Sequence, residues 1–279
     1  MCGIAGWVEA RADITPSLAL LRHRGPDSEG AYIRNNAACG QTRLAVIDLV
    51  TGDPPVENED GSVGATLNGE IYNFRALRDQ LAERGHTLST RGDTEVLAHL
   101  AENLEATELA QSLSGMFAFA IWNDRRERLI LGRDRVGKKP LYYWTDGGAI
   151  VYASELKALL AHPMVPARLD PAAIPAYLTF GYVPTPRTFF EGVRSLPPGH
   201  VLTFVSGEGA TIEAYWHPPR EGEIGVAVPR TLASAGKEVR KRLRDAVSRR
   251  LISDVPVGAF LSGGIDSSAI VALMSELSG

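Results

Sequence analysis

The second residue of the chain is the strongest candidate for a nucleophile. Cys2 follows the initiator methionine and precedes Gly3, so removal of Met1 would leave a thiol and a free α-amine on one residue. An α-amine has a pKa of about 8, which is close enough to neutrality for it to act as a general base. An N-terminal cysteine would therefore carry its own base, directly or through a water molecule. The alternative is a small hydrophobic residue at the start of a buried strand.

Four further segments bear on the role of Cys2. They are RHRGPDSEG (22–30), TRLAVIDL (42–49), LNGEIYNF (67–74) and RGDTEVL (91–97). Together with MCGIAGW they resemble the class II glutamine amidotransferases, in which a terminal cysteine attacks the side-chain amide of glutamine. The resemblance implies an Ntn-hydrolase fold, which is an αββα sandwich of the α+β class.

The resemblance assigns Cys2 and two neighbouring residues to catalysis. Asn68 and the backbone amide of Gly69 would donate hydrogen bonds to the oxyanion of the tetrahedral intermediate. Arg43 would bind the α-carboxylate of glutamine, a bidentate task suited to a planar guanidinium. Each has an ordinary alternative, because Asn-Gly also favours two-residue turns and Arg43 could be a surface residue of an alternating strand.

The same resemblance assigns the rest of the glutamine site. Glu70 and Asp93 would accept hydrogen bonds from the α-ammonium group, and the backbone around Val46 and Ile47 would complete the pocket. Asp93 could instead be a simple helix N-cap.

A second motif, FLSGGIDSS (260–268), is predicted to join a buried strand to a helix. Backbone amides and a helix N-terminus in that setting bind phosphates. The motif resembles the pyrophosphate loop of ATP pyrophosphatases, which implies ATP and Mg²⁺ as cofactors, with Asp266 capping the helix and holding magnesium. The candidate ATP-binding residues are Leu261, Ser262, Gly263, Gly264, Asp266 and Ser267. A plain Ser/Gly turn is the alternative.

Two other strings imitate known sites. GRDRVGKK (132–139) nearly has Walker A spacing, but Lys139 replaces the Ser/Thr and a strand pattern follows instead of a helix. SELK (154–157) matches one motif of penicillin-recognising enzymes without its companions, so a helix start is the better interpretation.

A class II glutaminase followed by an SGGIDSS loop resembles the glutamine-hydrolysing asparagine synthetase family over nearly the whole chain. That family implies glutamine, aspartate and ATP as small-molecule partners. Its glutaminase releases ammonia, which attacks ATP-activated aspartate to give asparagine, AMP and pyrophosphate. The alternatives left open are amidation of another carboxylate, a glutaminase partner of a different synthase, and a non-enzymatic remnant. Because the chain stops at Gly279, we expect glutaminase activity at most from these 279 residues.

Short apolar runs rich in β-branched and aromatic residues predict the strands that would hold the first site. They are GIAGWV, TRLAVIDL, VGATLNGEIY, MFAFAIW, RLILGRD and PLYYW. Two helices are predicted between them, one from Asn73 to Gly85 and one starting near Asp93. The predicted domains are a glutaminase domain (1–205), a linker (206–230) and the incomplete start of an α/β ATP-pyrophosphatase domain of the adenine nucleotide alpha hydrolase type (231–279).

The net charge of −4, from 29 basic and 33 acidic side chains, argues against binding to nucleic acid or anionic lipid. The N-terminus has no basic region ahead of its short apolar run, and only two cysteines are present, so a cytoplasmic location is expected. The sequence leaves the oligomeric state open, with a homodimer as one option.

Overall fold

The computed structural model describes residues 1–34, 36–220 and 231–278. They fall into two units, Met1–His217 and Pro218–Gly279. The strands, in chain order, are β1 (Gly3–Val8), β2 (Ser28–Ile33), β3 (Ala37–Arg43), β4 (Val56–Glu57), β5 (Val63–Ile71), β6 (Gly115–Asn123), β7 (Arg128–Arg133), β8 (Tyr142–Thr145), β9 (Ile150–Ala153), β10 (Arg194–Ser195), β11 (His200–Val205) and β12 (Gly209–Ala214).

The strands form two six-stranded sheets in the first unit, and their pairing is antiparallel. One sheet has the order β10-β8-β9-β1-β3-β2 and the other has the order β12-β11-β7-β6-β5-β4. The helices are α1 (Thr15–Ala19), α2 (Phe74–Glu83), α3 (Glu95–Asn103), α4 (Ala106–Ser112), α5 (Leu156–Leu160), α6 (Ala173–Phe180), α7 (Leu232–Arg250) and α8 (Ile265–Ser278). Within the described ranges, none of these helices has the length and apolar character needed to cross a bilayer.

The two sheets pack face to face, because alternate residues of each strand point in opposite directions. Ile4 of β1 lies in the core between the sheets with Trp122 of β6, whereas Trp7 lies on the outer face against Leu18 of α1. Full burial of a large apolar side chain contributes about 1.5–3 kcal/mol. On the other side of the sandwich, α3 and α4 cover the second sheet. The predicted αββα sandwich is confirmed.

The strand prediction for residues 42–49 is wrong beyond Arg43. β3 ends there, and the Arg43 side chain donates hydrogen bonds to the carbonyls of Ile47 and Asp48, so the chain curls around the guanidinium. Asp48 also has φ +56°, which no β-strand adopts. The alternating apolar residues of this segment therefore line a loop.

The predicted linker begins too early. β12 (Gly209–Ala214) pairs with β11 along its whole length, and Tyr215 is buried. The Gly/Pro-rich composition of this segment does not indicate a strand. β12 forms nevertheless, because an edge strand of a hairpin needs only one partner strand, which here is β11. Residues 221–230 of the predicted linker lie outside the described residues.

The strand predicted before the SGGIDSS motif is also wrong for the described residues. No strand is present between Leu251 and Ser262, and Phe260 is completely exposed. An extended segment needs a neighbouring strand for its backbone hydrogen bonds, and none pairs with it in the part of the second unit that the structure describes. The helix after the motif is confirmed as α8.

The two predicted helices of the first unit are present, but their start signals act differently. The Asn73 side chain does not cap α2; it donates to the Ser112 carbonyl and accepts from the Ser114 amide. α3 begins at Glu95, two residues after Asp93, whose carboxylate binds elsewhere.

Candidate active site

One pocket of the first unit brings together nearly all the residues predicted to bind glutamine. It encloses about 390 Å³ between its walls, part of it open to solvent. The predicted residues that line it are Cys2, Arg43, Val46, Ile47, Gly69, Glu70 and Asp93. Asn68, the remaining one, is fully buried in β5 between two residues that line the pocket.

Cys2 is held at the entrance to β1 by residues from two other segments. The Leu44 amide donates to Cys2 Sγ at 3.4 Å, and Arg24 Nε donates to the Cys2 carbonyl at 2.9 Å. Arg24 is itself fixed by Glu155, with Nη1 at 2.9 Å from Oε1. Burial raises the pKa of the Cys2 thiol, while the hydrogen bond from Leu44 opposes this and the charge of Glu70 adds to it. The thiol therefore needs a base to become a nucleophile.

The loop after Arg43 is shaped by Asp48, a residue that the sequence did not single out. Its carboxylate accepts hydrogen bonds from the Thr51 amide and hydroxyl, and from the Arg91 amide at 2.8 Å. Asp48 thus joins the loop that contains Val46 to the loop that leads to Asp93. The only signal in the sequence was an aspartate at the end of an apolar run, which is common at turns.

Gly69 and Asn68 occupy positions that tolerate few other residues. Gly69 has φ +146°, and a Cβ there would meet the Met116 carbonyl oxygen at 2.0 Å. Asn68 Nδ2 lies 3.5 Å from Ser154 Oγ, and Asn68 Oδ1 has no partner among the described residues. Ser154 Oγ already accepts from the Ile4 amide at 3.0 Å, so its own hydrogen remains to be donated.

This arrangement gives Ser154, the first residue of the rejected SELK string, a direct link to Asn68. Turning the Asn68 amide by 180° would let the Ser154 hydroxyl donate to Oδ1 and leave Nδ2 as a donor. Ser154 is fully buried at the end of β9, and its backbone amide donates to the Ile4 carbonyl. The sequence gave no sign of this contact, because residues 68 and 154 meet only through tertiary structure.

Glu70 and Asp93 form a pair of neighbouring acids in the pocket. Burial raises the pKa of both, and the charge of Asp93 raises the pKa of Glu70 further. The Ile71 amide donates to Asp93 Oδ2 at 2.9 Å, which opposes the effect of burial on Asp93. Two carboxyl groups that resist ionisation together create a site for a cation, because an ammonium group would allow both to ionise.

A buried lysine near these acids was missed by the sequence analysis. Lys139 ends the rejected Walker-like string, which folds as a turn around Asp134: the carboxylate accepts from the amides of Lys138 and Lys139, each at 3.0 Å. Burial lowers the pKa of Lys139, and the charges of Glu70 and Cys2 oppose that shift. The rejection as a phosphate loop agrees with this geometry.

The SGGIDSS loop of the second unit is exposed. Gly263 has φ +81°, and the Ser267 hydroxyl donates to the Gly264 carbonyl at 3.0 Å. Leu261, Ser262 and Asp266 lie on the same surface segment. Asp266 does not cap α8 as predicted, because the helix begins at Ile265 and Asp266 lies within its first turn.

The loop has features that suit a phosphate chain. Adding a Cβ to Gly263 would meet no atom within 4 Å, so the backbone there is open to close approach. The free amides at the start of α8 and the hydroxyls of Ser262 and Ser267 are the donors that phosphate oxygens need.

The chain is similar to known proteins along its whole length. The sequence model of the glutamine amidotransferase domain family matches residues 1–216, and that of the asparagine synthase family matches residues 238–279. A Bacillus subtilis protein named asparagine synthetase [glutamine-hydrolyzing] 3 is 38% identical, with 98% of this chain aligned to 45% of that protein. The amidase chyE of Penicillium rubens is 35% identical, with 95% of this chain aligned to 38% of that protein. The chain thus spans less than half the length of these relatives.

A solved structure shows the same fold. Glutamine phosphoribosylpyrophosphate amidotransferase from B. subtilis, complexed with ADP and GMP, superposes with a TM-score of 0.56 at 20% identity. The match covers 100% of this chain and 64% of that chain. At this identity the likeness concerns the fold, which is the Ntn-hydrolase sandwich predicted from the sequence.

Proposed function

Because the chain belongs to the glutamine amidotransferase domain family, we propose that its first unit hydrolyses the side-chain amide of glutamine with Cys2 as nucleophile. The observation that carries the proposal is a single pocket with a thiol and two buried acids in its wall. Such a pocket suits a ligand that has an ammonium group at one end and an electrophilic carbonyl carbon at the other.

Removal of Met1, which is 60% exposed, would give Cys2 a free α-amine beside its thiol. The new α-amine of Cys2 takes the thiol proton, and the thiolate attacks the amide carbon of glutamine. The oxygen of the tetrahedral intermediate receives hydrogen bonds from Asn68 Nδ2 and from the Gly69 amide. Ser154, by donating its hydroxyl hydrogen to Asn68 Oδ1, would hold the Nδ2 donor in place.

The acids would recognise the amino-acid end of the substrate. With the α-ammonium between Glu70 and Asp93, both carboxyl groups can ionise, because the positive charge of the ammonium offsets one of their two negative charges. Substrate binding would thereby be coupled to loss of a proton from the acid pair.

Arg43 would bind the α-carboxylate. Its Nη1 now donates to Asp53 Oδ1 at 2.7 Å, and the Asp53 side chain is 63% exposed. A substrate carboxylate could replace this exposed partner at little cost, because a solvent-exposed ion pair contributes only about 0–1 kcal/mol. The bonds from Nη2 to the loop carbonyls would keep the guanidinium oriented.

Turnover balances with one water molecule. The protonated α-amine returns its proton to the leaving nitrogen, the C–N bond breaks, and ammonia departs from a thioester on Cys2. Water, deprotonated by the same amine, then attacks the thioester. Glutamate leaves and the thiol is restored.

In the whole protein we propose that this ammonia amidates a carboxylate activated by ATP, with aspartate as the first candidate acceptor. ATP supplies the energy by its cleavage to AMP and pyrophosphate. Ser262, Gly264 and Ser267 would bind the phosphates, and Asp266 would hold Mg²⁺. The likeness to amidase chyE keeps another carboxylate as the second candidate.

The test is labelling with a glutamine analogue that has a diazoketone in place of the amide. We expect one adduct per chain, on a Cys2 that has lost Met1, located by peptide mass spectrometry. Glutamine should protect against labelling, and aspartate should not. An adduct on buried Cys39, or stable glutaminase activity with Met1 retained, would contradict the proposal.

A further inference from the structure

Four side chains of types that can bind metal ions, two of them on α3, come together outside the lining of the glutamine pocket. Glu59 follows β4, His86 follows α2, and His99 and Glu102 lie on α3. We refer to these four residues as the histidine–glutamate cluster. Each offers one nitrogen or oxygen atom, and these four atoms lie within 4.8 Å of one another.

The backbone around His86 is built to turn this residue back over the helix end. α2 closes with a Schellman motif, in which the Gly85 amide donates to the Ala82 carbonyl and the His86 amide donates to the Leu81 carbonyl. Gly85 has the left-handed φ of +93° that the motif requires. His86 therefore faces α3.

Five distances within the cluster lie between 3.0 and 3.7 Å, with Glu59 offering a different oxygen to each histidine. His86 Nδ1 lies 3.3 Å from His99 Nδ1 and 3.0 Å from Glu59 Oε1, and His99 Nδ1 lies 3.2 Å from Glu59 Oε2. Glu102 Oε1 lies 3.5 Å from His99 Nδ1 and 3.7 Å from His86 Nδ1. Four ligands around Zn²⁺, at bond lengths of about 2.0–2.2 Å, would be separated by roughly 3.3–3.6 Å.

We propose that the histidine–glutamate cluster binds one Zn²⁺ ion through His86 Nδ1, His99 Nδ1 and one oxygen each of Glu59 and Glu102. Four protein ligands of nitrogen and oxygen type fit the closed, tetrahedral coordination of a structural zinc site. The site joins three segments that are distant in sequence.

Hydrogen bonds to Glu59 can account for the two Nδ1 atoms, since each lies near its own carboxylate oxygen, but they leave Glu102 unsatisfied. They would also place two N–H groups side by side, on nitrogens 3.3 Å apart. Glu102 Oε1 is buried beside both rings and has no hydrogen-bond partner among the described residues. A divalent cation at the centre would accept lone pairs from both nitrogens and from this oxygen.

Neighbouring groups indicate which atoms of His99 and Glu59 would bind a metal ion. His99 is fully buried, and its Nε2 has no hydrogen-bond partner among the described residues, since Glu95 Oε1 lies 3.8 Å away, beyond hydrogen-bond distance. Nε2 would carry the hydrogen toward this carboxylate while Nδ1 binds metal. The Thr87 amide donates to Glu59 Oε1 at 3.0 Å and leaves Oε2 for the ion.

Glu95 also connects the cluster to the glutamine pocket. Its Oε2 accepts from the Thr90 amide at 2.9 Å, and Thr90 lines that pocket. A zinc ion would thus fix the orientation of α3 and the segment before it, which is a structural role.

The first experiment measures metal in the 279-residue chain. Protein purified without chelator is analysed by inductively coupled plasma mass spectrometry, then stripped with chelator and titrated with Zn²⁺. We expect one zinc per chain, stoichiometric rebinding and a rise in Tm on rebinding. Failure of the folded, stripped protein to bind Zn²⁺ would overturn the proposal and identify the cluster as an ion-pair network.

Variants then locate the site. His86→Asn, at the more exposed histidine, should weaken Zn²⁺ binding by roughly 100-fold or more, since even second-shell changes cost 10–100-fold. His200→Asn is the matched control, because the His200 side chain bonds locally, to the Pro198 carbonyl, and the substitution should leave Zn²⁺ binding unchanged.

A spectroscopic measurement on the unsubstituted chain avoids any dependence on how variants fold. Stripped protein titrated with Co²⁺ should develop the intense visible bands of a tetrahedral ion, with an end point at one equivalent, and Zn²⁺ should abolish them. Weak bands of octahedral Co²⁺, or binding that His86→Asn leaves intact while the protein stays folded, would overturn the assignment.

Discussion

The glutamine pocket and the SGGIDSS loop were identified by the same kind of sequence motif, yet the structure treats them differently. The pocket residues are mostly buried or half-buried, and the pocket is bonded to distant parts of the chain, as Arg24 is to Cys2 and Asp48 to Arg91. The bonds of the loop stay within it, such as those of Ser267 with Gly264 and Ser262.

The difference lies in what supports each motif. Gly69 lies within β5 and is paired with Phe117 of β6 in a six-stranded sheet, so the backbone that presents the neighbouring side chains is held in one conformation. In the described part of the second unit, the motif has a helix behind it and no sheet beside it. A sequence motif therefore predicts which chemical groups are present. Holding those groups in a fixed geometry requires the sheets and helices that pack around them.

The largest effect that would test this comparison is loss of the nucleophile. Cys2→Ala should reduce glutamine hydrolysis by roughly 10⁴-fold or more, because no other group in the pocket can form the acyl intermediate. Its free energy of unfolding should change by about 1 kcal/mol or less, since Cys2 lies at the rim of the core. Coupled glutamate detection and thermal unfolding measure the two quantities. Residual activity near that of the parent chain would refute the assignment.

The next effect concerns the oxyanion. Asn68→Ala should lower kcat by roughly 10²–10³-fold with little change in KM, as expected for a donor that acts mainly in the transition state. Thr66→Val is the matched control, because Thr66 is buried two residues earlier on the same face of β5. Ser154→Ala should lie between the two. Equal losses in all three variants would indicate damage to the fold instead.

The paired acids predict a pH dependence of glutamine binding. Burial and the neighbouring Asp93 raise the pKa of Glu70 to about 8 in the free pocket. Protons therefore compete with the α-ammonium below that pH, so KM for glutamine should fall as pH rises from about 6 to 8. Glu70→Gln should raise KM at pH 8 by roughly 10-fold or more and flatten the profile. A KM that is independent of pH in the parent chain would argue against this role.

The smallest effects on glutaminase activity should come from substitutions in the SGGIDSS loop. Gly263→Ala places a side chain at φ +81° in open space, so it should cost about 1 kcal/mol locally and leave glutaminase kcat and KM unchanged. Gly69→Ala, with its Cβ 2.0 Å from Met116 oxygen, should instead destabilise the first unit by several times that amount. Thermal unfolding and steady-state kinetics of the two variants compare the regions directly. Equal losses of stability in the two variants would contradict the difference between the pocket and the SGGIDSS loop.

Much of the first unit could be predicted from the sequence, because short apolar runs rich in β-branched and aromatic residues indicate buried strands. β1, β5, β6 and β7 arise from such runs and are buried along most of their length. The rule failed at residues 44–49, where hydrogen bonds from Arg43 to the backbone hold an apolar run in a loop. It failed again at β12, whose composition resembles a linker but whose backbone completes the sheet edge.

The sequence by itself determined which groups are available for chemistry: a thiol at residue 2, an Asn-Gly pair, two acids and an arginine, followed by a Ser/Gly-rich loop. Tertiary structure alone decided that Ser154 meets Asn68, that Asp48 joins two loops, and that Glu59, His86, His99 and Glu102 converge. The reason is physical. Residue types and local spacing fix what a group can do, but contacts between distant residues exist only after the layers have packed.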